Sequence, residues 1–325
     1  MTRTYDRRHF MLRTAVTGGV AVAAAASTVS FGQLVAAQSA TPAASPAAPV
    51  EPVSIAPDLQ TITVTANEGV FSISTPSAGL VEGDAVIELV NATPNNIANV
   101  NFVKLPEDVS VGDFTSLLAS AFQGEGGTLP EWFATDAALF AGGAFAAPGY
   151  TTQSIVTLPA GKWVAFSSNP GGDQSAQVIS VSAPEPAEET GTPEASPVAE
   201  ASPVAEGRPS DNTITLAADG ISLASDPTAT QAIWKVTNTS DEVMDVVIVR
   251  EVGEALDPAT VAASLSSGGT VNGLVVAGSG ALSPNATSYI GGTLEAGTYA
   301  VFSSLPAAAG GLQSAAGAAT TITVA

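Results

Sequence analysis

Three features of the sequence predict an all-β protein made of two β-sandwich copies, each with a short helical insertion. Apolar and polar residues alternate over short runs. Ile62, Val64, Phe71 and Ile73 fall on one face, and Thr61, Thr63 and Ser72 on the other, the period of two of a half-buried strand. Turn clusters such as Glu82-Gly83-Asp84 and Ala147-Pro148-Gly149 separate these runs. The pattern is also used twice, because residues 59–183 and 211–325 echo one another, and several short strands with regular turns are the mark of a sandwich.

The chain begins with an address rather than a strand. Arg3, Arg7, Arg8 and Arg13 face one acid, Asp6, and no charge occurs from Thr14 to Val50, the layout of an export signal. The run Asp6-Arg7-Arg8-His9-Phe10-Met11-Leu12 resembles the twin-arginine export motif, with Arg7, Arg8 and Phe10 as its defining residues. Small residues Val35-Ala36-Ala37 place cleavage near Ala37 and assign residues 1–37 to the signal peptide, the alternative being a segment retained as an anchor. The resemblance implies an extracytoplasmic protein, whether secreted, periplasmic or on the cell surface, with no membrane association after cleavage.

Residues 38–58 are Ala, Pro, Ser and Thr with few large apolar groups. Such a segment buries too little surface to offset its ordering entropy and is expected to be a disordered linker. Residues 184–210 form a second linker, where Ala195–Glu200 (ASPVAE) is repeated at once as Ala201–Glu206. Its prolines keep it extended and its glutamates keep it solvated. Neither linker has a PxxP with a flanking basic residue, so both read as spacers.

The two segments match strand by strand. Thr61-Ile62-Thr63-Val64 corresponds to Thr213-Ile214-Thr215-Leu216, and Ile87, Leu89 and Asn91 to Trp234, Val236 and Asn238. Leu158, Ala160, Gly161, Trp163, Phe166, Ser167 and Ser168 recur as Leu294, Ala296, Gly297, Tyr299, Phe302, Ser303 and Ser304. Gln174-Ser175-Ala176 recurs as Gln313-Ser314-Ala315. Each copy carries one helix. Asp257 caps a helix that starts at Pro258, runs through Ala259 to Leu265 and stops at Gly268-Gly269; its counterpart is Asp113 to Phe122, stopped by Gly124.

The order of these pieces is similar to that of the cupredoxin, or blue-copper-like, domain. An opening strand precedes a strand ending in Asn, then an apolar strand (Phe102-Val103-Lys104-Leu105; Ile248-Val249-Arg250). A helical insertion follows, then Ala-Pro-Gly or Ser-Pro-Asn, then Leu-x-Ala-Gly-x-aromatic and a closing strand. The resemblance spans nearly all of both segments and implies two Greek-key sandwich domains, 59–183 and 211–325. In copper-binding members a His follows the Asn strand and a Cys follows the Ala-Gly-x-aromatic strand. By position the His falls near Ala98 and Met244, and the Cys on Ser167 and Ser303. No His or Cys occurs in the loops Asn169–Gln177 and Pro306–Ala315. A blue-copper site needs a thiolate and imidazoles, so the expectation is a retained fold without copper and with no cofactor.

Composition narrows function in the same direction. The 325 residues include no Cys and one His, His9, which excludes disulfides, thiolate sites and His-dependent triads in the body of the chain. Nine Lys and Arg against thirty Asp and Glu give a net charge of −21, the wrong sign for nucleic acid. Signal cleavage leaves five basic residues against twenty-nine acids, a net of −24.

Other constellations carry less. Gly220-Ile221-Ser222-Leu223-Ala224 approximates a nucleophile elbow but has no His to activate it, and no Lys stands three residues after a Ser. Glu107 with Asp108, or Asp241, Glu242 and Asp245, could supply hydrolytic carboxylates or calcium ligands, but acid pairs are expected from composition and read as solvated loop charge. Met244 reads as core filler. Trp163 and Trp234 sit at inward strand positions. Trp132, beside Phe133 in a loop unique to copy one, is either the buried staple of that loop or, with Phe133, an exposed contact for a partner.

These readings converge on an exported, non-catalytic binding or structural protein with an unidentified protein or cell-surface partner. The alternative is a metal-binding or redox accessory protein that uses carboxylates and Met244 as non-standard ligands.

Overall fold

The structure, a computed structural model, describes residues 55–67, 70–122, 138–167, 176–184, 208–225, 227, 231–253, 257–266, 273–307 and 311–325. The export motif residues Arg7, Arg8 and Phe10 and the loop residues Trp132 and Phe133 lie outside the described residues.

Copy one contributes β1 (Gln60–Asn67), β2 (Val70–Ser74), β3 (Leu80–Val81), β4 (Gly83–Asn91), β5 (Ala98–Lys104), helix α1 (Val111–Phe122), β6 (Leu139–Ala146), β7 (Thr151–Leu158), β8 (Gly161–Phe166) and β9 (Ala176–Ser182). Copy two contributes β10 (Asn212–Ala217), β11 (Gly220–Leu223), β12 (Gln231–Asn238), β13 (Met244–Glu251), helix α2 (Pro258–Ser266), β14 (Gly273–Leu282), β15 (Thr287–Thr293), β16 (Gly297–Phe302) and β17 (Ala319–Val324). The chain is mostly β, as its alternation predicts.

The two copies share both sheets. One sheet has eight strands in the order β11-β10-β12-β15-β7-β4-β1-β2, the other nine in the order β17-β16-β13-β14-β6-β5-β8-β9-β3. The first is joined across the copies where β15 pairs with β7 through Tyr289↔Ile155, Ile290↔Ser154 and Gly291↔Gln153. The second is joined at the single pair Leu282↔Ala141 of β14 and β6. Edges that would otherwise expose unpaired backbone groups are thereby closed against each other.

Each copy has a core drawing on both sheets. In copy one Ile62, Val64, Ile87 and Leu89 pack with Val100, Phe102, Trp163 and Ile179. In copy two Ile214, Trp234, Val236 and Ile290 pack with Met244, Ile248, Tyr299 and Val301. The inward positions predicted for Trp163 and Trp234 are those observed, at 0% and 1% exposure. Burying side chains of this size contributes about 1.5–3 kcal/mol each.

Further clusters bind the copies together reciprocally. Phe145 and Ile97 of copy one join Val247, Val249, Ala262 and Phe302 of copy two, while Val243 and Ala281 of copy two join Val103, Phe114, Phe140 and Phe166 of copy one. Ile97 and Val243 occupy equivalent places before β5 and β13, as do Phe145 and Ala281 near the ends of β6 and β14. The junction therefore has the exchange pattern of an interface between two like subunits.

Two differences from the sequence reading have local causes. Helix α1 starts at Val111, because Ser110 caps it: its Oγ accepts from the Asp113 amide at 3.1 Å and donates to the Asp113 carboxylate at 2.6 Å, satisfying one of the free amides of the first turn. Both linkers end in anchors. Ala56 is buried with Val86, Ile155 and Tyr289, and the Ile55 amide donates to Gln153 Oε1 at 3.1 Å. Arg208 pairs with Asp84 of β4 at 3.3 Å. Composition gave no sign of this, since short or isolated residues pack where the tertiary surface offers a place.

Candidate functional site

The site positions singled out by the repeat lie where β5 and β13 begin and where β8 and β16 end. The turn before β5 is set by Asn91, whose Nδ2 donates to the Asn96 and Ala146 carbonyls at 2.7 and 2.9 Å, while its Oδ1 accepts from Thr93 N at 3.0 Å and Thr93 Oγ1 at 2.7 Å. Copy two repeats this with Asn238. Its Nδ2 donates to the Glu242 and Leu282 carbonyls at 2.8 and 2.9 Å, and its Oδ1 accepts from Ser240 N at 3.0 Å and Ser240 Oγ at 2.7 Å. A fully satisfied buried amide fixes the turn geometry, and with it the entry of β5 and β13.

At the other end, glycines that open β8 and β16 let a basic side chain lie across the turn. Lys104 Nζ donates to the Ala160 carbonyl at 3.0 Å, and Arg250 Nη2 to the Ala296 carbonyl at 3.2 Å. Gly161 and Gly297 have φ of 138° and 153°, a region that favours glycine. Trp163 Nε1 and Tyr299 OH likewise donate to the carbonyls of Pro159 and Glu295, at 2.8 and 2.6 Å. Burial pushes the Tyr299 phenol above its ordinary range.

Between these fixed ends sits one polar pair per copy. In copy one Ser167 Oγ donates to Asn99 Oδ1 at 2.9 Å, both residues being buried. In copy two the equivalent residues are Ser303 and Asp245, with Oγ 2.7 Å from Oδ1. This second pair extends further. Ser303 Oγ is 2.6 Å from Gln313 Oε1, and Gln313 Nε2 donates to the Val243 carbonyl at 2.8 Å and to Glu242 Oε2 at 3.3 Å. Asp245 Oδ1 also accepts from the Ser304 amide at 2.7 Å, and Oδ2 from Ser304 Oγ at 2.5 Å.

Asp245 is 2% exposed, which corrects its reading as solvated loop charge. It lies in β13, which is buried from Met244 through Val249. One face of that strand packs in the core of copy two through Met244, Val246 and Ile248. The other is covered by α2 and Phe145 through Val247 and Val249, the face to which the parity of Asp245 assigns it. Burial pushes its carboxyl above the ordinary aspartate range, and the hydrogen bonds from Ser304 and Ser303 offset only part of that.

The remaining candidates are not assembled into a site. Glu107, Asp108 and Asp241 are exposed, and Glu242 is half-buried. Ser222 is exposed on β11. Met244 packs in the apolar core of copy two, as the sequence reading expects. Among the described residues no group of three or more His, Cys, Asp or Glu is placed to hold a metal ion. At the thiolate positions implied by the sequence resemblance stand the hydroxyls of Ser167 and Ser303, each hydrogen-bonded to Asn99 or Asp245, the residue after Ala98 or Met244.

No family model matches the chain, and no curated protein matches it. Among solved structures, the chain is similar to dithionite-reduced auracyanin from Roseiflexus castenholzii, with 22% identity over 35% of this chain and 94% of that one and a TM-score of 0.27. It is also similar to auracyanin A, a blue copper protein from Chloroflexus aurantiacus, with 16% identity over 37% and 97% and a TM-score of 0.28. A blue copper oxidase from Nitrosomonas europaea matches with 11% identity over 81% and 85% and a TM-score of 0.20.

Proposed function

We propose that this is an exported, non-catalytic binding or structural protein, built from two cupredoxin-like Greek-key sandwiches that carry no copper. The observation that supports it is the pair Ser167–Asn99 and its equivalent Ser303–Asp245. In both copies the place of a metal thiolate is taken by a serine hydroxyl that is hydrogen-bonded to the residue following the first imidazole position. Those groups serve each other and form part of the packing. The repeated Asn91 and Asn238 turns and the basic residues Lys104 and Arg250 preserve the scaffold around the two places.

Export follows from the Arg7-Arg8-x-Phe10 motif, and the expected location is outside the cytoplasm. The net charge of −24 after cleavage favours a cationic surface or partner protein. No helix among the described residues is long and apolar enough to cross a membrane.

Elemental mass spectrometry of protein exported natively through the twin-arginine route tests the reading. The expected result is less than stoichiometric copper, and no heat on calorimetric titration with copper or calcium. Stoichiometric copper in the exported protein would overturn it in favour of a metal or redox accessory role on non-standard ligands.

A further inference from the structure

The hydrogen-bond inventory around Ser303 requires one more proton than ionised side chains can supply. Ser303 Oγ lies 2.7 Å from Asp245 Oδ1 and 2.6 Å from Gln313 Oε1. A serine hydroxyl has one proton. If Asp245 were ionised, both neighbours would be pure acceptors, and one of these short oxygen contacts would have no hydrogen in it. Turning the Gln313 amide over does not help, because its oxygen would then face the Val243 carbonyl at 2.8 Å and Glu242 Oε2 at 3.3 Å. A proton on Asp245 Oδ1 resolves every contact. Asp245 donates to Ser303, Ser303 donates to Gln313 Oε1, and Gln313 Nε2 donates to Val243 and Glu242. The long Leu305 amide contact, at 3.4 Å, takes the second lone pair of Ser303.

We propose that Asp245 is a proton-operated latch: protonated at Oδ1, it completes the chain Asp245–Ser303–Gln313 that holds residues 303–307 and 311–318 against the start of β13, and loss of that proton releases them. This latch is additional to the binding or structural role and does not depend on it.

Among the described residues, the surroundings offer an ionised Asp245 no counter-charge. Its sheet neighbours β14 and β16 contain no Asp, Glu, Lys or Arg, and neither do α2, β6 or residues 303–325; their one titratable group is Tyr299. The acids nearby in sequence are Glu242 and Asp241, which add negative charge. Asp257 caps α2 from an exposed position, Asp113 is exposed in the first turn of α1, and Arg250 with Glu251 lies at the far end of β13. An uncompensated buried charge is relieved by protonation or by local opening.

The element that opens is short and defined. Residues 303–307 and 311–318 are tied to one another through Ser303 N to Ala318 O at 2.9 Å, Gln313 N to Leu305 O at 3.0 Å and Ala318 N to Gln313 O at 2.9 Å. Gln313 ties them to the turn before β13. Copy one supplies an internal control, because Asn99 stands where Asp245 does and accepts from Ser167 without the ability to ionise. The two copies thus differ in one titratable group at the same place.

The test compares the full chain with Asp245→Asn, which reproduces the neutral side chain of copy one. Denaturant unfolding is followed across pH, together with hydrogen exchange at the Gln313 and Ala318 amides. For the wild type, the folded-to-unfolded ratio is expected to fall about tenfold per pH unit more than for Asp245→Asn as pH rises above the ordinary aspartate range, levelling off once the folded protein loses the proton. Protection at Gln313 and Ala318, corrected for base catalysis, is expected to drop in the wild type alone. Parallel profiles in the two proteins would overturn the latch. If Asp245→Asn does not fold, the carboxyl carbon resonance of Asp245 in the wild type decides: titration above the ordinary range, in step with the loss of protection, supports the latch, and titration within that range sinks it.

Discussion

Asn91 donates from Nδ2 to the Ala146 carbonyl at 2.9 Å, and copy two repeats the tie between Asn238 and Leu282 at the same distance. Each amide satisfies four other groups at once, so replacing it leaves several buried donors and acceptors unpaired. Asn238→Ala is therefore expected to lose about 3 kcal/mol, given about 1–3 kcal/mol for each buried polar group left without a partner. Urea unfolding measures it; a loss below about 1 kcal/mol would show that water replaces the amide.

Gly280 lies at a close approach of the two copies. A Cβ there would lie 2.5 Å from Asn101 Oδ1 and 2.9 Å from both the Gly142 carbonyl carbon and the Gly143 nitrogen. Neither backbone nor the buried Asn101, whose Oδ1 accepts from the Ala281 amide at 2.8 Å, has room to retreat. Gly280→Ala is expected to cost about 2–4 kcal/mol by forced separation of β14 from β6. Thermal unfolding that matches the wild type would contradict so close an approach.

Phe145 belongs by sequence to copy one but packs with Val247, Val249, Ala262 and Phe302 of copy two. Phe145→Ala is expected to cost about 3–5 kcal/mol. Because the lost contacts join the copies, unfolding should split into two transitions when followed by Trp163 and Trp234 separately in single-tryptophan variants. A single transition shifted as a whole would mean the junction survives on its remaining contacts.

Arg208 and Asp84 form a partly exposed pair, 26% and 19% accessible, and Asp84 also accepts from Thr157 Oγ1 at 2.8 Å. Such pairs contribute about 0–1 kcal/mol. Arg208→Ala is expected to lose less than about 1 kcal/mol at low salt and nothing measurable at high salt, where screening removes the interaction. A larger, salt-independent loss would assign Arg208 a packing role against Tyr289.

Asp257 and Asp245 should respond to pH with opposite signs. The side chain and amide of Thr260 bond to the Asp257 carboxylate, the amide at 2.9 Å, and hold its pKa below 3.8. Its contribution is present above the unfolded value and is lost as pH falls through the depressed one. Asp257→Ala is therefore expected to remove part of the acid-side loss of stability and to leave the alkaline side unchanged. Circular dichroism across an acid titration checks this, and an unchanged acid limb would count against the cap.

The equivalence of Ser167 with Ser303 was legible because the Leu-x-Ala-Gly-x-aromatic run is a local signature carried in both copies. The environment of Asp245 was not. An acid close to Asp241 and Glu242 reads as loop charge, and nothing local reveals that β13 is covered on both faces. Alternation reports burial only where one face meets water, so a doubly covered strand hides its polar members. Gln313 was visible as a repeat element, but its hydrogen bonds span 10 residues to Ser303 and 70 to Val243.

The sequence by itself determined the β class, the repeat, the inward positions of Trp163 and Trp234 and the helix begun by Asp257 and Pro258, because each depends on a period or cap within a few residues. Only the tertiary structure decided that the copies share both sheets and exchange Phe145 and Ile97 for Ala281 and Val243. The joining strands β6 and β14 read LFAGGAFA and GLVVAGSGAL, with small residues of weak strand propensity. Their value lies in close approach between backbones more than a hundred residues apart, a property of the partner surface that no local pattern carries.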